Sequence, residues 1–167
     1  IEAATGSAGA GSNVFGNAGN NVLLGGAGAD ILWGRGGNDT FGGGAGADLY
    51  FFGRGEGNKT ILADGGAGSD TLNLYSETDP GKVALTREGN DLLVNLDASG
   101  GSVRVAGWFD ASANQIGNIL LGDGTRLQYR ADQEGDETLS GTPTADKLYG
   151  FGGNDVISGL AGADLLD

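Results

Sequence analysis

The chain has 167 residues, 36 of them glycine, and a formal charge of −13 from 22 acidic and 9 basic residues, a length that suits one or two small domains. It contains no histidine and no cysteine, which removes the usual zinc and soft-metal ligands, disulfide staples, and catalytic triads built on either residue. The acidic balance disfavours nucleic acid as a partner and favours cations, and no apolar run is long enough to span a bilayer.

Taken in chain order, the sequence is a set of repeats interrupted once. The first residue is Ile1, not Met, and the chain stops inside a repeat at Asp167, as expected of a piece of a larger protein. A decayed unit, GSAGAGSNVF, occupies 6–15, and a strict nine-residue frame starts at Gly16: GNAGNNVLL, GGAGADILW, GRGGNDTFG, GGAGADLYF. The sixth position reads Asn21, Asp30, Asp39, Asp48, and the eighth reads Leu23, Leu32, Phe41, Tyr50. The stretch 52–61 breaks the register, with Lys59 where an acid is expected, and GGAGSDTLN at 65–73 restores it with Asp70. Tyr50, Phe51 and Phe52 are expected to plug the broken end of this first block, residues 1–73.

From 74 to 130 the glycine content falls and ordinary β signals appear. KVALTRE (82–88) and DLLVNLD (91–97) flank Gly89-Asn90 as a hairpin. SVRVAGWF (102–109) reads as a third strand, and QIGNILL (115–121) and TRLQYR (125–130) flank GDG as a second hairpin. Asp79-Pro80 reads as an ordinary turn. The nine-residue frame returns in 131–167, weakly at 132–140 and then clearly, with sixth-position acids Asp146, Asp155 and Asp164.

A nine-residue unit with this many glycines is not a helix, since each glycine costs about 1 kcal/mol there. Six turn-forming residues followed by three strand residues make half of a flat coil. Two units close one coil, coils stack by parallel pairing, and the eighth residues fill the inside. Unit n then lies on unit n+2, so Asp30 faces Asp48, Asn21 and Asp39 begin a second column, and Asp146 faces Asp164. Stacked carboxylates repel unless a cation lies between them. Adjacent strands are about 4.7–4.9 Å apart, and two calcium–oxygen distances of about 2.3–2.6 Å span that step, whereas magnesium's shorter bonds do not. The candidate ligands are therefore Asn21, Asp30, Asp39, Asp48, Asp70, Asp146, Asp155 and Asp164. Asp64 and Glu56 read equally as extra ligands or as solvated acids. Glycine-rich backbone at Gly25, Ala27, Gly34, Gly43 and Ala45 is expected to complete the shells of about five Ca2+ ions, each needing at least six oxygens.

The units resemble G-G-x-G-x-D-x-U-x, the nonapeptide of the RTX, or haemolysin-type calcium-binding, family. The units at 25, 43 and 65 match in full, those at 34, 150 and 159 differ at one glycine each, and Asn21 and Lys59 depart in ways expected to weaken their sites. The middle segment resembles the β segment between repeat blocks of adenylate cyclase toxins and other large secreted proteins. The resemblance implies an all-β fold, a parallel β-roll in two blocks with the small β segment 74–130 as a cap, calcium in the turns, type I secretion and an extracellular location. It implies a non-enzymatic module that folds on Ca2+ binding, with calcium and the secretion machinery as partners. The alternative is a recognition module, adhesin or carbohydrate-binding, with the roll as scaffold. An exposed aromatic cluster on the middle segment would favour it.

Overall fold

The computed structural model describes residues 2–7, 9, 11–64, 70–96, 100–111, 114–129, 136, 138–143, 145–150 and 152–166. The repeat pattern sets the local structure. A glycine turn is followed by three residues in which only the middle side chain faces inward, because successive side chains on a strand point to opposite faces. Val14, Leu23, Leu32, Tyr50 and Leu72 take that inner position and are buried. The resulting strands are β1 (Ala3–Thr5), β2 (Asn13–Phe15), β3 (Val22–Ala27), β4 (Ile31–Trp33), β5 (Asp39–Ala45), β6 (Leu49–Phe51), β7 (Asn58–Ile61) and β8 (Thr71–Leu74).

Alternate strands pair in parallel, β1-β3-β5-β7 on one side and β2-β4-β6-β8 on the other. Ile31 lies opposite Leu49 and Leu23 opposite Phe41, an offset of 18 residues, or two repeats per coil. The fold is therefore the parallel roll that the spacing predicts. Two of these strands are much longer than the rest: β3 and β5 run on through Gly26↔Gly44 and Ala27↔Ala45, so one side of the turn is itself paired backbone. The irregular stretch at 52–61 loops out but returns to register, with Lys59 opposite Asp39.

The middle segment is built into both sheets. A hairpin of β9 (Val83–Glu88) and β10 (Asp91–Leu96) turns at Gly89, whose φ is 64°. β11 (Ser102–Val105) pairs antiparallel with β10 and parallel with β7. β12 (Asn118–Leu121) lies parallel on β8 and antiparallel to β13 (Arg126–Tyr129). β11 and β12 thus add one parallel strand to each sheet of the first block. Trp108 follows β11 and is buried with Val94, Val103, Val105 and Ile116 in the same core cluster as the repeat residues. Asp79 accepts from the Gly81 amide at 2.9 Å and so caps a short 3-10 turn, Pro80–Lys82, leading into β9.

In the second block β14 (Thr138–Ser140) pairs with β16 (Val156–Ser158), and β15 (Asp146–Tyr149) pairs with β17 (Leu165–Leu166). β15 also pairs in parallel with β13, which joins this block to the second sheet. Lys147 donates to Val83 O at 2.5 Å and Pro80 O at 3.2 Å, and the Tyr149 hydroxyl donates to Val83 O at 3.2 Å. Of the expected aromatic plug, Tyr50 and Phe52 are buried. Phe51 instead points outward, where it meets Trp33 and Tyr75 on the outer face of the second sheet.

The turn glycines serve stacking as much as conformation. A Cβ on Gly44, whose φ is +90°, would lie 2.0 Å from Gly26 O of the coil it stacks on. Gly124 has a similar φ of +89° but open space around it. Gly44→Ala is therefore expected to combine a backbone penalty with overpacking, about 2–6 kcal/mol in all, against about 1–3 kcal/mol for Gly124→Ala. Denaturant unfolding of the two variants in calcium checks this, and equal costs would show that the turn stack is looser than described.

Candidate metal-binding turns

The sixth residue of each repeat closes its turn and faces the residue stacked beneath it. One oxygen of Asp30, Asp39, Asp48, Asp70 and Asp164 is used in that stacking. Asp30 Oδ1 accepts from Ser12 N at 2.6 Å, Asp48 Oδ1 from Asp30 N at 2.8 Å, and Asp70 Oδ1 from Asp48 N at 2.9 Å. In the neighbouring column Asp39 Oδ1 accepts from Asn21 N at 2.8 Å, and in the second block Asp164 Oδ1 accepts from Asp146 N at 3.0 Å. Asn21, Asp30, Asp39, Asp48, Asp70 and Asp146 are buried, while Asp155 and Asp164 are half-buried.

The other oxygen differs from turn to turn: Asp70 Oδ2 accepts from the Tyr50 hydroxyl at 3.4 Å and Asp146 Oδ2 from Thr142 N at 2.5 Å. Asp30 Oδ2 and Asp48 Oδ2 are buried without a hydrogen-bond partner. Each sits against the first glycine of its own repeat, since a Cβ on Gly25 would lie 2.5 Å from Asp30 Oδ2 and one on Gly43 2.1 Å from Asp48 Oδ2. The same holds for Gly34 with Asp39, Gly150 with Asp155 and Gly159 with Asp164, at 2.0, 2.3 and 2.2 Å. First-position carbonyls point into these places too: Gly43 O would be 2.5 Å from a Cβ on Gly25, and Gly34 O 2.7 Å from one on Gly16. Ala27 and Ala45 lie in register in the same turns, each between two left-handed glycines.

A buried carboxylate oxygen with no donor is costly, and here such oxygens are stacked. Among the described residues no three carboxylates converge on one point, so backbone carbonyls must supply most of any metal shell. A set of one carboxylate and several carbonyls per turn is all hard oxygen, which fits calcium. Like charge is felt within the column. Burial pushes the Asp48 carboxyl above its ordinary value, and the Asp30 and Asp64 carboxylates add to the effect against an amide donated by Asp30. Asp70 is pushed up from 3.8 to about 6, first by burial and then by Asp48 and Asp64, against the Asp48 amide.

Other acids have different duties. Asp64 is exposed and accepts from Gly44 N at 2.8 Å, beside the turn and outside the columns. Glu56, read from the sequence as ligand or solvated acid, accepts from Trp33 Nε1 at 3.1 Å, Gly53 N at 2.8 Å and the Tyr75 hydroxyl at 2.7 Å. Lys59 is buried and ion-paired with Asp39 Oδ2 at 2.7 Å. Sequence reasoning also missed a neutral ladder one residue earlier in the frame. Asn20 Oδ1 accepts from Asn38 N at 2.8 Å, Asn38 Oδ1 from Asn58 N at 2.9 Å, and Asn58 Oδ1 from Ser102 N at 3.2 Å. Its signal was asparagine at the fifth position of the units at 16 and 34.

Stacked parallel coils with a carboxylate and converging carbonyls in each turn define a calcium-binding β-roll. The RTX calcium-binding nonapeptide repeat profile matches residues 15–50 and 133–166, and the haemolysin-type calcium binding protein related domain matches residues 91–130. Together they span roughly two thirds of the chain, which belongs to the RTX haemolysin-type calcium-binding family. Among solved structures, the chain is similar to the AlgE6R3 subunit of the Azotobacter vinelandii mannuronan C5-epimerase at 24% identity. That alignment covers 59% of this chain and 71% of the other, with a TM-score of 0.26. It is also similar to the extracellular lipase LipA of Serratia marcescens at 21% identity, covering 93% of this chain but 27% of the lipase, with a TM-score of 0.27. No curated protein matches the chain. Among the described residues no helix is long and apolar enough to cross a membrane.

The carboxyl shift sets a pH dependence for the metal-free protein. With its folded value raised to about 6 from 3.8, Asp70 binds a proton more readily folded than unfolded, so stability falls as pH rises through that window. In calcium-free buffer the residual β signal in circular dichroism is expected to be greater at pH 5 than at pH 7. A β signal that instead rises with pH over this range would contradict the burial of these carboxylates.

Proposed function

We propose that the chain is a non-enzymatic module of a secreted bacterial protein that folds on binding Ca2+ outside the cell, after type I secretion. The observation that supports this reading is the buried, partnerless pair Asp30 Oδ2 and Asp48 Oδ2 in stacked coils, with the Gly43 carbonyl beside Asp30 Oδ2. Where calcium is scarce, as in a bacterial cytosol, such columns repel and the chain stays open. An open chain with no disulfide suits passage through a narrow channel. Outside, calcium neutralises the columns and metal binding energy becomes folding energy. Millimolar calcium is enough for sites tuned like other extracellular modules.

The proposed ligands are the column residues Asn21, Asp30, Asp39, Asp48, Asp70, Asp146, Asp155 and Asp164, with backbone at Gly25, Ala27, Gly34, Gly43 and Ala45 and with Asp64 at the margin. Counted from stacked units, about five ions bind, each with six or more oxygens. In circular dichroism, chelator is expected to remove most of the β signal and millimolar calcium to restore it, while magnesium alone does not. A β spectrum that survives chelation, or equal recovery in magnesium, would overturn the proposal.

A second reading, a carbohydrate-binding segment with the roll as scaffold, has one observation in its favour. Phe15, Trp33, Phe51 and Tyr75 form a shallow apolar recess with Ile31 on the outer face of the second sheet. Apart from Tyr75 it lies on the first block and not on the middle segment, where an exposed aromatic cluster would have favoured this reading. The rings largely pack edge-on against one another, and Arg35 covers Phe15 and Trp33, which makes calcium-driven folding the better-supported reading. Binding on a glycan array that Trp33→Ala abolishes would reverse that order.

A further inference from the structure

The irregular stretch at 52–61 places a lysine in a column of carboxylates. Lys59 stands in register with Asp39, as Asp48 stands with Asp30 through the pairs Ile31↔Leu49 and Leu32↔Tyr50. A lone buried ammonium is as costly as a lone buried carboxylate, yet the Lys59 and Asp39 side chains are both fully buried. The surroundings of the ammonium explain how this is tolerated. Lys59 Nζ donates to Arg35 O at 2.7 Å, Gly37 O at 2.8 Å and Glu56 O at 2.5 Å, and lies 2.7 Å from Asp39 Oδ2. Its three protons go to three carbonyls, and the carboxylate balances its charge.

That set is four oxygens from two stacked turns, one carboxylate and three backbone carbonyls. It is the donor chemistry that the other turns offer to a metal ion. We propose that the Lys59 ammonium is a tethered cation that takes the place of a calcium ion at the end of the Asn21–Asp39 column. Charge supports the exchange. The position beyond Lys59 in this sheet is Val103, so Asp39 is the last carboxylate of its column, and one positive charge balances it. The Asp48 end is different, because Asp70 and Asp64 both act on Asp48 or its neighbours and a single charge would leave an excess of negative charge. Arg35 does not compete for the role, since its guanidinium lies over Phe15 and Trp33, 5.9 and 5.3 Å from the ring centroids.

The consequence is a junction that holds without metal. β7 joins the first block to β11, and the asparagine ladder through Asn38, Asn58 and Ser102 runs beside it without charge. β5, β7 and β11 then form a nucleus on which the calcium-dependent coils assemble. This inference rests on the calcium reading above, and the test separates the two. The full chain and its Lys59→Asp and Lys59→Met variants are compared by calorimetric calcium titration and by hydrogen exchange in chelator and in calcium.

In wild type under chelator, the amides of Leu62 and Ala106, which bond across β5–β7 and β7–β11, are expected to exchange at least about tenfold more slowly than those of Leu49 and Thr71. Lys59→Asp is expected to lose that difference in chelator, regain it in calcium, and bind about one more ion per chain, because it restores a carboxylate pair. Lys59→Met is expected to lose the protection and gain no ion. Uniform exchange in chelated wild type overturns the proposal, even if neither variant folds. An unchanged ion count in a folded Lys59→Asp chain overturns it as well. Absence of calcium binding by wild type itself would remove the calcium reading and this proposal with it.

Discussion

Carboxylate oxygens buried in stacked turns, as at Asp30 and Asp48, are the constraint on which this fold depends. Parallel pairing fixes the repeat distance at about 4.7–4.9 Å, and the two-unit coil brings the sixth residues together at that step. The amide that each Oδ1 accepts from the coil beneath it, as Asp48 does from Asp30 at 2.8 Å, holds the carboxylate so that Oδ2 turns inward. The first glycine follows from this, because at Gly43 a side chain would occupy the place of Asp48 Oδ2. The cohesion available without a cation is modest. Three-residue strands such as β2, β4 and β6 contribute one inward side chain each, Val14, Leu32 and Tyr50, at roughly 1.5–3 kcal/mol apiece. That gain is set against stacked, unneutralised charge.

Where the repeat is interrupted, the chain uses its own polar groups to bridge coils. Lys59 neutralises Asp39. Arg54, in the loop after β6, pairs with the buried Glu77 after β8, and Glu77 also accepts from the Thr78 and Asp79 amides at 3.0 and 2.9 Å. Lys147 reaches from the second block to the carbonyls at the start of β9. These cations sit at the joints between the nonapeptide arrays and the middle segment. The regular turns have only carboxylate and carbonyl oxygen to offer. On the proposed reading the molecule divides into joints that are neutralised internally and arrays whose stacking takes up an added ion.

Much of this was legible in the sequence because the signal is periodic. The nine-residue frame gave the coil, the eighth residue its interior, and the Asp30–Asp48 column followed from geometry alone. Gly89-Asn90 marked its hairpin. What escaped notice depends on contacts remote in sequence. β11 and β12 lie parallel on β7 and β8, pairing Ser102 with Asn58 and Asn118 with Thr71, and no local pattern announces such a partner. The outward turn of Phe51 follows from alternation past the buried Tyr50, but a run of three aromatics hides it. Lys59 read as a defect because its frame position was visible and its carbonyl partners were not. Glu56 was ambiguous for the same reason, its partners Trp33 and Tyr75 being brought to it only by coiling.

Crystals grown in millimolar calcium, with anomalous diffraction collected to locate the ions, test the central claim most directly. The account predicts peaks between stacked turns, within about 2.3–2.6 Å of Asp30 Oδ2 and Asp48 Oδ2 and of the carbonyls beside them, and no peak beside Asp39 where Lys59 Nζ lies. Ions found only on the exposed surface, with those two oxygens still unpartnered, would contradict it.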